Sequence, residues 1–326
     1  MKALRVEALS EDLSGVSLTD IATPERAPGE VLVRVHAASL NFPDLLMTKG
    51  KYQFKPELPF TSGLECAGEV IEAEPESGFK AGDRVMGGNK TGAFAEIASL
   101  PSRGLSPIPS NFSYAQGAAM GAAYSTAYTG LVELCGLAEG QSVLVTGASG
   151  GVGLAALDLA NAVGATSIAA TGIESKRPAI TALASPKHTI LSQGRFREQV
   201  SDLTDGKLCD IVFDNVGGDV FDECTRCVAF AGKLVVCGFT SGRIATVATN
   251  IPLIKGFSIV GLRAGEYARR FPDRGKAINE AVRDLAEAGR INPAVGATLP
   301  LSRWREGFEA MANREVVGKV VFEPGA

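Results

Sequence analysis

The chain has 326 residues, 45% of them hydrophobic and 21% charged, with a formal net charge of −4. This is globular composition, enough for one large domain or two ordinary ones, and it holds no basic run of the kind a nucleic acid or an anionic membrane surface requires. No apolar stretch reaches the roughly 18 residues of a membrane helix, the start MKALRVEALSEDL lacks a signal-peptide core, and six scattered cysteines suit the reduced thiols of a cytoplasmic protein.

In chain order, KALRV, GEVLVRVHAASL, GLECAGEVIEA and GDRVMG read as strands, punctuated by Pro28-Gly29, Gly78 and Gly82-Asp83. After Pro107 and Pro109 the apolar residues take helical spacing through SYAQGAAMGAAYSTAYTGLVELCGL. SVLVTGA is then a continuous apolar strand, GGVGLAALDLANAVGA a helix and TSIAATG a second strand. LCDIVFDNVGG and GKLVVCGF follow as buried strands with a helix, DVFDECTRCVAFA, between them, and KGFSIVGL closes the series. Strands alternating with helices predict βαβ units and a doubly wound parallel sheet. Beyond it, AINEAVRDLAEAGRI is an amphipathic helix and GKVVFEPG a last strand. The expected layout is a β-rich domain, 1–120 with 266–326, and an α/β cofactor domain, 121–265, with a ligand cleft between two lobes.

The strongest local signal is the turn Gly147-Ala148-Ser149-Gly150-Gly151-Val152-Gly153 between the strand ending at Thr146 and a helix. Ala148, Gly150 and Gly153 take the three positions of a dinucleotide fingerprint. Gly150 lets the backbone approach a pyrophosphate, Gly153 lets helix and strand pack closely, and the helix N-terminus faces the phosphates. A purely structural tight turn is the alternative. At the end of the second strand, Gly172 stands where an acid would bind the ribose 2′-hydroxyl of NAD, and Ser175, Lys176 and Arg177 follow. Space and cations favour a 2′-phosphate, hence NADPH; Glu174 is the residue that fits this least.

With that turn in place, the chain resembles the zinc-independent quinone oxidoreductase (zeta-crystallin-like) branch of the medium-chain dehydrogenase/reductase superfamily. The resemblance rests on Ala38-Ser39-Leu40-Asn41-Phe42-Pro43-Asp44, Gly50-Lys51-Tyr52, the segment Leu58 to Glu65, Gly82-Asp83-Arg84-Val85, Asp214-Asn215-Val216-Gly217-Gly218 and Gly318-Lys319-Val320-Val321, which occur in the family's order. It implies a Rossmann cofactor domain with a β-rich GroES-like catalytic domain. It also implies roles for Asn41, Thr126, Phe239 and Lys319 near the cofactor, Asn41 beside the nicotinamide. Tyr52 is implied as a cleft residue that donates a hydrogen bond or proton to the substrate oxygen, with an aromatic wall as the alternative, and Asp44 as a support of its loop. Around Ala182–Thr189 the chain departs from the family, with Pro186 in a loop near the adenosine end.

No metal site is expected. Where zinc alcohol dehydrogenases carry Cys-His and Gly-His-Glu elements, this chain reads Leu40-Asn41-Phe42-Pro43 and Gly63-Leu64-Glu65, and leucine cannot bind zinc. His36 and His188 belong to no ligand set, and Cys224-Thr225-Arg226-Cys227 reads as two buried thiols on one helix face. A bare nicotinamide suits a quinone or an α,β-unsaturated carbonyl, whose oxygen gains charge as its carbon accepts hydride. The alternatives are an NADPH-binding protein with little turnover, crystallin-like, and an enoyl-thioester reductase of the same superfamily. No tyrosine has the lysine spacing of a short-chain reductase, and no Walker motif exists. The apolar strand Ser258 to Leu262, at a sheet edge, together with the resemblance, implies a homodimer.

Overall fold

The structure is a computed structural model and describes residues 1–325. The chain divides into two compact units, Met1–Gly121 together with the chain from Val295 onward, and Ala122–Ala294.

In the first unit one sheet runs, neighbour by neighbour, through Val295–Pro300, Lys319–Glu323, Glu30–Ser39, Glu65–Glu72, Arg84–Gly88 and Leu105–Pro107, and Ile97–Pro101 also pairs with Glu30–Ser39. Its first two strands are parallel and the other pairs antiparallel. A smaller antiparallel sheet joins Val16–Asp20, Lys2–Val6 and Phe60–Thr61. In the longest strand Val31, Leu32, Val33 and Val35 are all buried while Arg34 is exposed, so one face is covered throughout and the other over part of its length. The core between these elements is aromatic: Phe94, Phe308 and Phe322 are fully buried, and Phe94 meets Phe322 edge-on with ring centroids 5.2 Å apart.

The second unit is built on a parallel sheet in the order His188–Leu191, Thr166–Thr171, Ser142–Thr146, Cys209–Asp214, Val228–Val236, Ser258–Gly261. The order reverses between Ser142–Thr146 and Cys209–Asp214, the switch point where a doubly wound sheet opens a crevice at its strand ends. Val143, Leu144 and Val145 are wholly buried, as expected of a strand covered on both faces.

Three expectations change. The helix predicted over 219–231 ends at Cys224, because Val228–Val236 is drawn into the sheet by pairing with Cys209–Asp214. Cys224 and Cys227 therefore lie at a helix end and in the turn after it rather than on one helix face, though both are buried. Residues 266–294, expected in the β-rich domain, fall in the second unit. Hydrogen bonds account for this: Tyr267 Oη donates to Glu133 Oε1 at 2.6 Å, Ser125 Oγ lies 2.9 Å from Asn279 Oδ1, and the Asn292 N–H donates to Asp158 at 2.7 Å.

Candidate functional site

In the second unit the strand Ser142–Thr146 leads through a tight turn into the helix Gly151–Val163. A Cβ on Gly153 would lie 2.4 Å from the carbonyl oxygen of Gly147 and 2.9 Å from Cα of Ala148, so only glycine closes this turn. Gly150 differs: a Cβ there would meet only the Gly147 oxygen, at 3.5 Å, and the residue is exposed. As N-cap it carries no side chain, so the first-turn N–H groups, which have no intrahelical acceptor, stay uncovered. Backbone donors and the positive end of the helix dipole fit a phosphate group. Ser149, Gly151 and Val152 are half-buried around this point.

The neighbouring strand braces the turn. Asp214, fully buried, accepts the Thr146 hydroxyl at 2.5 Å, the Val216 N–H at 3.1 Å and the Gly217 N–H at 2.9 Å. Asn215 Nδ2 donates to the Thr146 carbonyl at 2.8 Å. Burial pushes the Asp214 carboxyl up, against the pull of the Thr146 hydroxyl and the two backbone donors. These bonds tie together the two strand ends that flank the switch point.

At the end of the strand Thr166–Thr171, Gly172 is exposed and a Cβ there would meet nothing within 4 Å. Ser175 is exposed, whereas Lys176 is buried at 8% exposure. Glu174, the residue least suited to a 2′-phosphate, pairs with Arg177 at 3.0 Å, and Arg177 also donates to the Thr189 carbonyl at 2.8 Å. Thr126 is half-buried in the helix Tyr114–Tyr128, and Phe239 is partly exposed beside Gly217.

Three strand ends meet in the first unit. Ser39 lies opposite Glu65 in one pairing and opposite Val321 in another, which brings Asn41, Glu65 and Lys319 together. Lys319 Nζ is 2.6 Å from Asn41 Oδ1 and 2.8 Å from Glu65 Oε1. Asn41 Nδ2 donates to the same Glu65 oxygen at 2.9 Å and to the Ser39 carbonyl at 3.1 Å. Lys319 and Glu65 are each 6% exposed; Asn41 is half-buried. A buried ion pair needs further hydrogen bonds to offset its desolvation, and Asn41 supplies them. Asp44, fully buried in the first turn of the helix Phe42–Thr48, accepts the Asn41 N–H through Oδ2 at 2.8 Å, while its Oδ1 has no hydrogen-bond partner in the protein. Burial pushes the Asp44 carboxyl up to about 7, against the Asn41 donor and the Lys319 charge. Tyr52 packs half-buried against the aromatic-lined core, and among the described residues its hydroxyl has no hydrogen-bond partner. Among the described residues no group of three or more His, Cys, Asp or Glu side chains could hold a metal ion, and no helix is long and apolar enough to cross a membrane.

The alcohol dehydrogenase GroES-like domain family matches residues 27–110, and the zinc-binding dehydrogenase family matches residues 151–291. A quinone oxidoreductase-like protein 2 homolog from Nematostella vectensis is 37% identical over 304 residues, which cover 92% of this chain and 83% of that protein. The chain belongs to the quinone oxidoreductase branch of the medium-chain dehydrogenase/reductase superfamily. Two solved structures are similar over nearly all of this medium-chain oxidoreductase. A probable oxidoreductase from Mycobacterium abscessus has a TM-score of 0.91 and 33% identity, over 99% of either chain. The quinone oxidoreductase from Thermus thermophilus, solved also in complex with NADPH, has a TM-score of 0.83 and 26% identity over 99% of this chain and 100% of that one.

Motif reading picked out the residues of this medium-chain protein that stand on glycine patterns and on Asn41 and Lys319. It passed over Glu65, set aside for want of zinc-binding neighbours, and the brace formed by Asp214 with Thr146. The signal for Glu65 was present: a carboxylate and a lysine, far apart in sequence, each beginning an apolar strand that has to bury them.

Proposed function

We propose that this protein is a zinc-free, NADPH-dependent reductase that transfers hydride to a quinone or an α,β-unsaturated carbonyl. The observation that carries this reading is the uncovered helix start at Gly150, braced by Asp214 at the switch point of a parallel sheet. NADPH, when bound, supplies the hydride. Gly150 and the N–H groups of Gly151, Val152 and Gly153, with Ser149 beside them, bind its pyrophosphate. Gly172 leaves space for the 2′-phosphate, and Ser175 and Lys176 hold it; Glu174, occupied by Arg177, does not oppose it. Thr126, Phe239, Asn41 and Lys319 orient the nicotinamide end. Tyr52, whose hydroxyl has no partner among the described residues, donates to the oxygen of the acceptor as that oxygen gains charge. Zinc is not required, because Leu40 and Leu64 stand at ligand positions and Glu65 is committed to Lys319.

The assembly we propose is a homodimer. Ser258–Gly261 ends the sheet and pairs on one side only, with Val228–Val236, and Phe230, Leu253 and Ile254 nearby are 84%, 80% and 74% exposed. An open strand edge bordered by apolar side chains is stable in water when another copy covers it.

The test follows loss of NADPH and of NADH absorbance, with and without EDTA, against an ortho-quinone, a para-quinone, an enone and an enoyl thioester. The expected result is NADPH-selective consumption with a quinone or enone, unchanged by EDTA. NADPH bound but never consumed makes the protein a cofactor-binding one, and turnover confined to the thioester reassigns the acceptor. Preference for NADH overturns the roles given to Gly172 and Lys176, and loss of activity in EDTA overturns zinc independence.

A further inference from the structure

We propose that Glu65 and Lys319 are positioning residues that fix the Asn41 amide as a hydrogen-bond acceptor, so that it meets a donor on the bound cofactor, an amide N–H or a sugar hydroxyl, and not the carbonyl of the electron acceptor. This rests on the reading of the protein as an NADPH-dependent reductase and gives Asn41 a defined part in it.

The direction of the Asn41 amide follows from what its neighbours can do. A lysine ammonium only donates, and a carboxylate or a backbone carbonyl only accepts. The atom 2.6 Å from Lys319 Nζ is therefore the amide oxygen. The atom 2.9 Å from Glu65 Oε1 and 3.1 Å from the Ser39 carbonyl is the nitrogen. Turning the amide over would set N–H groups against an ammonium and an oxygen against two acceptors, losing all three of the amide's bonds at once.

The hydrogen-bond capacity of Asn41 is then nearly spent. Both amide hydrogens go to Glu65 and Ser39, and one lone pair of Oδ1 goes to Lys319. Oδ1 also faces the Asp44 N–H in the capping box at the start of the helix Phe42–Thr48, but that N–H is bonded to the Asn41 main-chain carbonyl at 3.0 Å. This leaves the second lone pair of Oδ1 for a ligand, on a residue that is half-buried while Lys319 and Glu65 are 6% exposed. A ligand that reaches Asn41 finds an acceptor. A quinone or enone carbonyl also has only lone pairs to offer and makes no bond there. The nicotinamide carboxamide and the sugar of the cofactor do carry donors. Asn41 is accordingly a group that orients the cofactor, and activation of the acceptor carbonyl falls to donors such as the Tyr52 hydroxyl. Glu65 acts through this arrangement: one oxygen accepts from the Lys319 ammonium at 2.8 Å and from the Asn41 nitrogen at 2.9 Å, which holds both donors in place.

The test uses the full chain and reads two quantities, NADPH dissociation in the absence of acceptor and the KM for 1,4-benzoquinone, which carries no donor, at saturating NADPH. In Asn41→Leu the NADPH Kd is expected to rise about tenfold, the size of one hydrogen bond to a polar ligand, with the quinone KM changed less than about threefold. The double variant Asn41→Asp/Glu65→Gln exchanges carboxylate and amide at constant charge and keeps an acceptor at position 41. It is expected to bind NADPH at least about tenfold more tightly than Asn41→Asp alone, in which two carboxylates face each other. A reduced 3-acetylpyridine cofactor, which lacks the amide N–H, separates the two donors: weakened binding to the wild type but not to Asn41→Leu assigns the carboxamide, and equal weakening in both assigns the sugar hydroxyl. A double variant that melts like the wild type yet binds NADPH no better than Asn41→Asp overturns the proposal. So does Asn41→Leu raising the quinone KM at unchanged NADPH Kd, a result that stands even where the double variant fails to fold. A wild-type protein that binds no NADPH refutes the function itself and is seen before any variant is made.

Discussion

A buried carboxyl and an ammonium at two strand ends of the first unit, with the buried Asp44 carboxyl in the helix turn beside Asn41, have a consequence for stability. The Lys319 charge is matched by Glu65 at 2.8 Å, which leaves Asp44, with one unpartnered oxygen, to hold a proton up to about pH 7. Its ordinary value is 3.8. From about pH 4 to about pH 7 the unfolded chain gives up a proton that the folded chain keeps, so stability falls as pH rises through that window and levels off above it. Asp44→Asn keeps an oxygen for the Asn41 N–H and removes the titration. Melting curves from pH 4 to 8 are expected to show the wild type losing ground to the variant by up to about 1.4 kcal/mol per pH unit, then running parallel above pH 7. A constant offset at every pH excludes this account. The sequence placed Asp44 as a support of its loop, which matches its bond to Asn41; its buried neighbours Glu65 and Lys319 are 21 and 275 positions away, too far for spacing to reveal the charge balance.

At the scale of a single turn, two glycines three positions apart do different work. Gly153 has no room for a Cβ, since backbone atoms of Gly147 and Ala148 lie within 3 Å of it, whereas Gly150 has room and borders solvent. Gly153→Ala is expected to cost about 1–3 kcal/mol of stability by forcing the turn open, as overpacking against backbone does. Gly150→Ala is expected to cost less, about 0.5–1 kcal/mol for alanine at an N-cap, and to weaken NADPH by tenfold or more, because the methyl group narrows the approach to the helix N-terminus. Melting and cofactor titration of the two variants separate the roles; equal loss of stability in both means that the turn is purely structural. Fingerprint spacing marked both glycines, and the backbone crowding observed at Gly153 is a constraint local to the turn. It could not supply the brace, which depends on Asp214 in a strand that is adjacent in the sheet and 68 residues away in sequence from Thr146.

At the scale of the molecule, the proposed homodimer depends on the edge at Ser258–Gly261. Light scattering of the wild type is expected to give twice the mass of one chain. Ile254→Glu, which puts a charge among side chains that are already exposed in the single copy, is expected to shift the species to monomer with its parallel sheet intact by circular dichroism. A wild type that runs as a monomer at micromolar concentration removes the homodimer from the proposal. The expected domain boundary at 265/266 followed the end of the predicted parallel strands. The observed division instead keeps the helices Ala264–Arg270 and Pro272–Glu287 with the second unit, through the bonds of Tyr267, Asn279 and Asn292.

Taken alone, the sequence determined the βαβ alternation, the glycine turn at its switch point and the family, because apolar periodicity and turn chemistry act between residues close in the chain. It also marked Asn41 and Lys319, through motifs rather than through any contact it could specify. Only the tertiary structure decided that these two meet over Glu65, which way the amide between them faces, and where the helix after Gly218 gives way to a strand. Those outcomes are set by pairing between distant segments: strand register brings charges together from opposite ends of the chain, and burial then forces them to satisfy one another.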